Sequence, residues 1–329
     1  MSAPEVITLR HSDGAEARIL AGFGFNCFSW VVPVGGRRIE TLWQHPEFAG
    51  GKQRPSGSGI PLLFPFPGRI EAGRFEWDGR EYSLPANDNR GNAIHGFVHE
   101  RPWRVLERTD TSAVGEFHAD RDAPEIRGLW PADFRIRARI ELAATTLRLD
   151  FTCDNPDSRP LPCGFGTHPY YRVPLGGAHA DACVVRLPVR SRWELIELLP
   201  TGRRLTLENG DALRAGEPFG QLRFDDAFTD LEFSRDWMAA SIADPESGTQ
   251  LTARASSGFR ECVVYTPPHR EAICIEPLTC VPGAILLQAR GIDAGLRVLA
   301  PGESFSVSME LAIETLATLV DGAFRKSRE

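Results

Sequence analysis

The chain is a long succession of short β-like runs, each closed by glycine, proline, asparagine or aspartate, and this punctuation most limits the folds open to it. Such runs occupy Ala17–Leu20, Cys27–Val34, Arg74–Trp77, Glu81–Leu84, Phe134–Leu142, Thr146–Cys153 and Cys183–Val185, and they continue to the end. From Ala138 to Cys153 apolar and polar residues alternate, which is the period of a half-buried strand. Trp77-Asp78-Gly79-Arg80 carries the Asp-Gly signal of a two-residue hairpin. Helical periodicity appears only near Leu311–Val320, yet Ser306 to Ile313 also alternates and follows the turn Pro301-Gly302-Glu303. Phe305–Leu316 is therefore expected to form a last strand with a short helical or frayed end. No repeat of solenoid period and no low-complexity linker interrupts the pattern. The expectation is an all-β fold, one large and mostly antiparallel β-sandwich spanning residues 1–329 as a single domain, with a short polar tail from about residue 321.

Composition supports a core of that size. Of 329 residues, 42% are hydrophobic and 25% charged, the balance of an ordinary globular chain. Net charge is -7 with basic residues dispersed, so a nucleic-acid partner is not expected. No apolar run reaches the ~18–20 residues that cross a bilayer, and Met1–Arg10 lacks a signal peptide's basic start and apolar centre. A membrane partner is not expected, and the location expected is cytoplasmic. Seven cysteines without a C-x-x-C pair fit reduced core thiols better than a disulfide framework or a zinc site.

Two stretches carry the strongest chemical signals. In Gly164-Phe165-Gly166-Thr167-His168-Pro169-Tyr170-Tyr171 a single imidazole stands among aromatics, and the proline after it pushes His168 towards extended geometry, at a strand end or in a loop. In Ala272-Ile273-Cys274-Ile275-Glu276-Pro277-Leu278-Thr279 one carboxylate interrupts a nearly continuous apolar run. A buried carboxylate costs several kcal/mol unless it is paired, proton-shifted or engaged with a ligand, so Glu276 needs a reason to be there.

Weaker signals surround these. Gly59 to Ile70 packs three prolines into apolar sequence, which rules out a central strand and leaves either a rigid loop aiming Arg69 into a pocket or a surface arginine. Asn92-Ala93-Ile94-His95-Gly96-Phe97 sets a second histidine beside a glycine and an aromatic. His95 and His99 stand at metal-ligand spacing, but with no helix signal and no glutamate between them no metal is expected, and His99 is expected at the surface. Phe224-Asp225-Asp226-Ala227-Phe228 could bind sugar hydroxyls through its carboxylates while the rings cover an apolar sugar face, or it could be a solvated turn. Tyr265 could line the same pocket or belong to the core. There is no G-x-S-x-G elbow, glycine-rich phosphate loop or cysteine with a base beside it.

As a set, these motifs resemble the aldose 1-epimerase (galactose mutarotase) family from about Phe23 to Ile313. Gly68-Arg69-Ile70 resembles the family's Asn-Arg-Ile, Ile94-His95-Gly96 its His-Gly motif, and Thr167-His168-Pro169-Tyr170 its His-x-Tyr-Phe segment. Asp225 resembles its substrate aspartate, and Glu276-Pro277-Leu278-Thr279 its catalytic glutamate motif. The resemblance implies a galactose mutarotase-like supersandwich without metal or cofactor. It further implies mutarotation of a free hexose, with Glu276 as base, His168 as acid, and Arg69, His95 and Asp225 holding the sugar. Gly68 in place of the family's asparagine, and Pro169 with Tyr171, depart from the pattern where the sugar is contacted. A hexose 6-phosphate mutarotase, whose pocket needs converging cations, and a non-catalytic sugar-binding module are the competing implications; Arg54, Arg74, Arg90 and Arg101 lie near the motifs. The partner expected is a small aldose, the assembly a monomer or homodimer.

Overall fold

In the computed structural model, which describes residues 4–316, the alternating runs become strands whose apolar positions face inward. Arg135–Leu142 and Thr146–Asp154 pair antiparallel, and Ile136, Ala138 and Ile140 share one face with Leu149, Phe151 and Cys153. These strands belong to a nine-stranded antiparallel sheet that continues through Ser304–Thr315, Thr249–Ser256 and Trp237–Asp244. The final strand forms as expected. Its expected frayed end and the polar tail extend beyond residue 316, outside the described residues.

A second, eight-stranded sheet lies against the first. Its central strands are Asp225–Thr229, Glu261–Tyr265 and Ala272–Leu278. Val264, Ile273 and Ile275 from this layer enter the same core as Phe151, Met309 and Leu311 from the other, and Thr167 Oγ1 meets Met309 Sδ at 3.0 Å across the layers. The all-β antiparallel sandwich expected from the sequence is what forms. A four-stranded meander, Val6–Arg10, Glu16–Leu20, Asn26–Val34 and Arg37–Glu40, adds its apolar face to that core. The hairpin at Trp77-Asp78-Gly79-Arg80 is present, with Asp78 and Gly79 both in the left-handed region as a type I′ turn requires. No helix among the described residues is long and apolar enough to cross a membrane. All seven cysteines are buried and unbonded.

Strand Ala272–Leu278 is buried along its whole length, on both faces. One face looks into the core between the sheets. The other is covered by two irregular segments. In the proline-rich stretch Leu62–Leu63 forms the sheet's edge strand, flanked by isolated bridges at Ile60 and Phe64, before the chain turns out to Arg69–Ile70, which pairs with Ala93–Ile94. Proline's missing donor explains why the ladder stops there. The second segment closes on the first where Phe97 N–H donates to the Phe64 carbonyl at 2.8 Å. Gly96 makes that approach possible: it has φ +68°, and a Cβ on it would collide with the Phe64 carbonyl oxygen and carbon. Gly96→Ala is expected to lower stability by about 1–3 kcal/mol through this forced backbone shift, read as a lower urea midpoint at unchanged slope.

Candidate active site

Strand register builds the centre of the site. Gly166 lies opposite Leu278 and Tyr170 opposite Cys274, so two residues inward from either pair His168 stands opposite Glu276. Directly opposed residues of an antiparallel pair share a face. His168 Nε2 accordingly lies 3.3 Å from Glu276 Oε1, with the residues 8% and 3% exposed. On the other side Glu276 is opposite Val263, and the neighbouring row runs Asp225, Tyr265, Cys274, Tyr170. The His168 ring stacks on Tyr170 at 4.9 Å and 6°, and its Nδ1 is enclosed without a hydrogen-bond partner among the described residues. Stacking, rather than a hydrogen bond at Nδ1, orients the ring.

The short ladder Arg69↔Ile94 supplies the opposite wall. His95 N–H donates to the Gly68 carbonyl at 2.9 Å, while Gly68 N–H donates to His95 Nδ1 at 3.3 Å. Since Nδ1 accepts, neutral His95 carries its proton on Nε2. His95 pays for this placement with φ +69°, a left-handed conformation uncommon outside glycine. Gly68 also has positive φ, +67°, and a Cβ on it would run into Pro282, so an asparagine does not fit there. Arg69 donates from Nε to Asp88 Oδ2 at 3.0 Å. Asp88 also accepts from the Arg90 and Asn92 amides and from Asn92 Nδ2, so this polar turn is a bracket that fixes Arg69.

One cavity is lined by Arg69, His95, His168, Asp225, Tyr265 and Glu276, the six residues singled out in the sequence. Among the other wall residues Ser56 and Pro282 had no distinct signal, Arg54 was one of four arginines near the motifs with nothing to separate it from the other three, and Tyr170 lay inside the histidine motif without a role of its own. Two sequence expectations fail. Phe224 and Phe228 do not cover the cavity: strand alternation puts them, with Asp226, on the opposite side from Asp225, where Asp226 pairs with Arg192 at 2.7 Å. His99 is not at the surface; it is 4% exposed, its backbone packed against Gly24 and its ring 6.1 Å from that of His95.

Burial governs the protonation chemistry. It pushes Glu276 well above the usual carboxylate value, and Asp225 adds to this while Arg69 opposes it. It pushes His168 down to about 3, with Arg54, His99 and Arg69 contributing, although a sequence reading would have the carboxylate raise it. Desolvation of both partners outweighs a single 3.3 Å contact, and the pair favours its neutral form. His95 is likewise held low, first by burial and then by His168. Burial also raises the exposed-edge carboxyl of Asp225, more than Arg69 lowers it. Among the described residues the one cluster able to offer three metal ligands is His168, Cys274 and Glu276, whose ligating atoms lie within 4.8 Å of one another. His95 and His99 are not part of it.

Comparison with known proteins bears on this constellation. The model of the family described as aldose 1-epimerase matches residues 5–312. The uncharacterized proteins YihR and YphB of Escherichia coli are 24% and 25% identical, the matches covering 84% and 85% of this chain and 88% and 94% of the relatives. The crystal structure of a galactose mutarotase-like protein from Clostridium acetobutylicum is similar with a TM-score of 0.81 at 23% identity, covering 95% of this chain and 99% of that one.

The raised carboxyl makes a prediction about stability. Folded Glu276 holds its proton more tightly than the unfolded chain does, so its contribution is whole below about pH 4.5 and is lost as pH rises through the folded value. Glu276→Gln removes that loss. Denaturant titrations at pH 5 and pH 8 are expected to show the variant gaining on the wild type at the higher pH; an unchanged difference would refute the assignment.

Proposed function

Since the chain belongs to the aldose 1-epimerase family, we propose that it interconverts the α and β anomers of a hexopyranose by acid–base ring opening and closure. The observation that carries this reading is the cross-strand pair of Glu276 and His168, both facing a cavity whose walls offer hydrogen-bonding groups suited to a sugar. Ring opening requires removal of the proton on the anomeric hydroxyl and delivery of one to the ring oxygen as the C1–O5 bond breaks. Ionised Glu276 takes the first and protonated His168 gives the second. Afterwards Glu276 is protonated and His168 neutral, so the pair carries one proton throughout. That second arrangement is the one burial favours, which offsets part of the cost of opening the ring. Rotation about C1–C2 and the reverse transfers close the ring on the other face.

The remaining residues hold the sugar and stabilise charge. His95, with its proton on Nε2, and the Arg69 guanidinium donate to sugar oxygens, Asp225 accepts from hydroxyls at the cavity mouth, and Tyr265 beside it forms a wall. No cofactor enters these steps. Seven buried, unbonded thiols support a cytoplasmic setting.

Anomer exchange measured by NMR over a panel of aldoses tests the reading; no acceleration with any of them would favour a sugar-binding module instead. Glu276→Gln is expected to reduce kcat by about a hundredfold or more, the usual contribution of a positioned base being about 10²–10⁴. A folded variant with near-normal turnover would remove Glu276 from that role. The pH–rate profile is expected to fall on both sides of a plateau, because the pair is inactive with two protons or with none. Its acid limb lies below the ordinary imidazole value of 6.5, as burial depresses His168 to about 3, and its alkaline limb lies above the ordinary carboxyl value of 4.5. EDTA is expected to leave the rate unchanged, since His168 and Glu276 are committed to proton transfer.

A further inference from the structure

Cys274 lies beside the acid–base pair and takes no part in proton transfer. It shares a strand face with Glu276, two residues away, and stands opposite Tyr170, one alternation from His168. The ligating atoms of His168, Cys274 and Glu276 lie no more than 4.8 Å apart, and His168 Nε2 is 3.3 Å from Glu276 Oε1. All three residues are buried, Cys274 completely. Glu276 faces the cavity, yet its carboxylate accepts no hydrogen bond among the described residues, and His168 Nε2 is its one ion-pair neighbour there. None of the other six cysteines joins a comparable set of ligands among the described residues.

The spacing suits a tetrahedral ion. With bonds of about 2.0 Å to nitrogen or oxygen and about 2.3 Å to sulfur, tetrahedral ligand atoms sit about 3.3–3.6 Å from one another. His168 and Glu276 already stand at that distance, and a small rotation of the Cys274 side chain covers the remainder. One thiolate, one imidazole and one carboxylate select a thiophilic ion such as zinc over magnesium or calcium, which take oxygen ligands. Charge closes as well: two anionic ligands cancel a divalent cation, so the enclosed site is left neutral. On the cavity walls Asp225 favours a cation, Asp88 balances Arg69, and Arg54 opposes it. His168 and Glu276 line the cavity and Cys274 does not, so an ion arriving with solvent meets the first two and seats on the thiol behind them. Its fourth position stays open to the cavity, for water or a sugar hydroxyl.

We propose that His168 Nε2, Cys274 Sγ and a Glu276 carboxylate oxygen form a binding site for a divalent ion of the zinc class, and that the ion inhibits the protein reversibly. On binding, the Glu276 O–H and Cys274 S–H bonds break and two protons go to solvent, while neutral His168 gives its Nε2 lone pair. Coordination occupies both proton carriers at once, so ring opening stops. The inhibition rests on the mutarotase reading; the site itself does not, because register and burial bring its ligands together. The metal-free chain stays indifferent to EDTA, which removes only the inhibition.

The full chain, freed of metal, is to be titrated with Zn²⁺, Co²⁺ and Mg²⁺ alongside Cys274→Ala and Cys274→Ser, with calorimetry, absorption and anomer exchange as readouts. Wild type is expected to bind one Zn²⁺ or Co²⁺ per chain and no Mg²⁺, and its cobalt form to show thiolate-to-cobalt charge-transfer absorption in the near ultraviolet. Zinc should abolish exchange and excess EDTA restore it. In both variants the charge-transfer band should vanish. The zinc concentration that halves each variant's own metal-free rate should rise about a hundredfold or more, since groups that merely touch a ligand already carry about 10–100-fold of metal affinity. No stoichiometric cobalt binding by wild type, a band that survives in Cys274→Ala, or equal zinc sensitivity of wild type and variants overturns the proposal and leaves the mutarotase reading standing. If no aldose is interconverted, that reading fails and the cobalt spectra decide the site alone: a band lost with the thiol upholds it, and a band absent or retained overturns it.

Discussion

The site depends on the register of one antiparallel ladder. Strand Ala272–Leu278 alternates Ile273 and Ile275 into the core with Cys274 and Glu276 onto the opposite face, where Glu276 lines the cavity, and its pairing sets His168 across from Glu276. A slip of one residue would exchange the two faces, sending a carboxylate between the sheets and isoleucine into the cavity. The long ladders of the nine-stranded sheet and the shared core hold that register, so the largest part of the molecule positions two side chains.

The same enclosure that makes the pair expensive sets where its proton rests. In water a carboxylate and an imidazole at ordinary values differ in proton affinity by about two units, and a proton would seldom leave the imidazole for the carboxylate. Burial raises one and lowers the other, and thereby reverses the order. Covering the pair requires chain that is not sheet. The proline-rich segment cannot extend the ladder, and the His95-Gly96 segment bends through consecutive left-handed residues. Irregular backbone at 59–70 and 92–99 is thus a consequence of roofing a strand that must be buried on both sides.

Positioning is carried by the immediate neighbours of the ionisable side chains. Asp88 fixes Arg69, the Gly68 amide sets the protonated nitrogen of His95, and Tyr170 orients His168. Burial alone would raise Asp88, but the Asn92 and Arg90 amides and the Arg69 guanidinium together hold its carboxyl below the usual value, so it stays an ionised anchor. Gly68, the departure most conspicuous in the sequence, is accounted for by Pro282, which occupies the space a side chain would need.

What the sequence determined by itself is the fold class, most strand positions and the identity of the chemically expensive residues. Each of these is local: alternation records which face is buried, Asp-Gly makes its own hairpin, and Glu276 stands out because its immediate neighbours are apolar. Tertiary structure alone decided which of those residues meet. Asp225 and Asp226 are equivalent as neighbours in sequence, and only the pairing of their strand with Glu261–Tyr265 sends one to the cavity and the other to Arg192. Arg54, in a loop of glycine, serine and proline with no periodicity, gave no sign of its place on the cavity wall. Protonation was beyond the sequence for the same reason, because a carboxylate–imidazole contact and the removal of water around it push the imidazole in opposite directions. Which push is larger depends on how completely distant segments close over the pair.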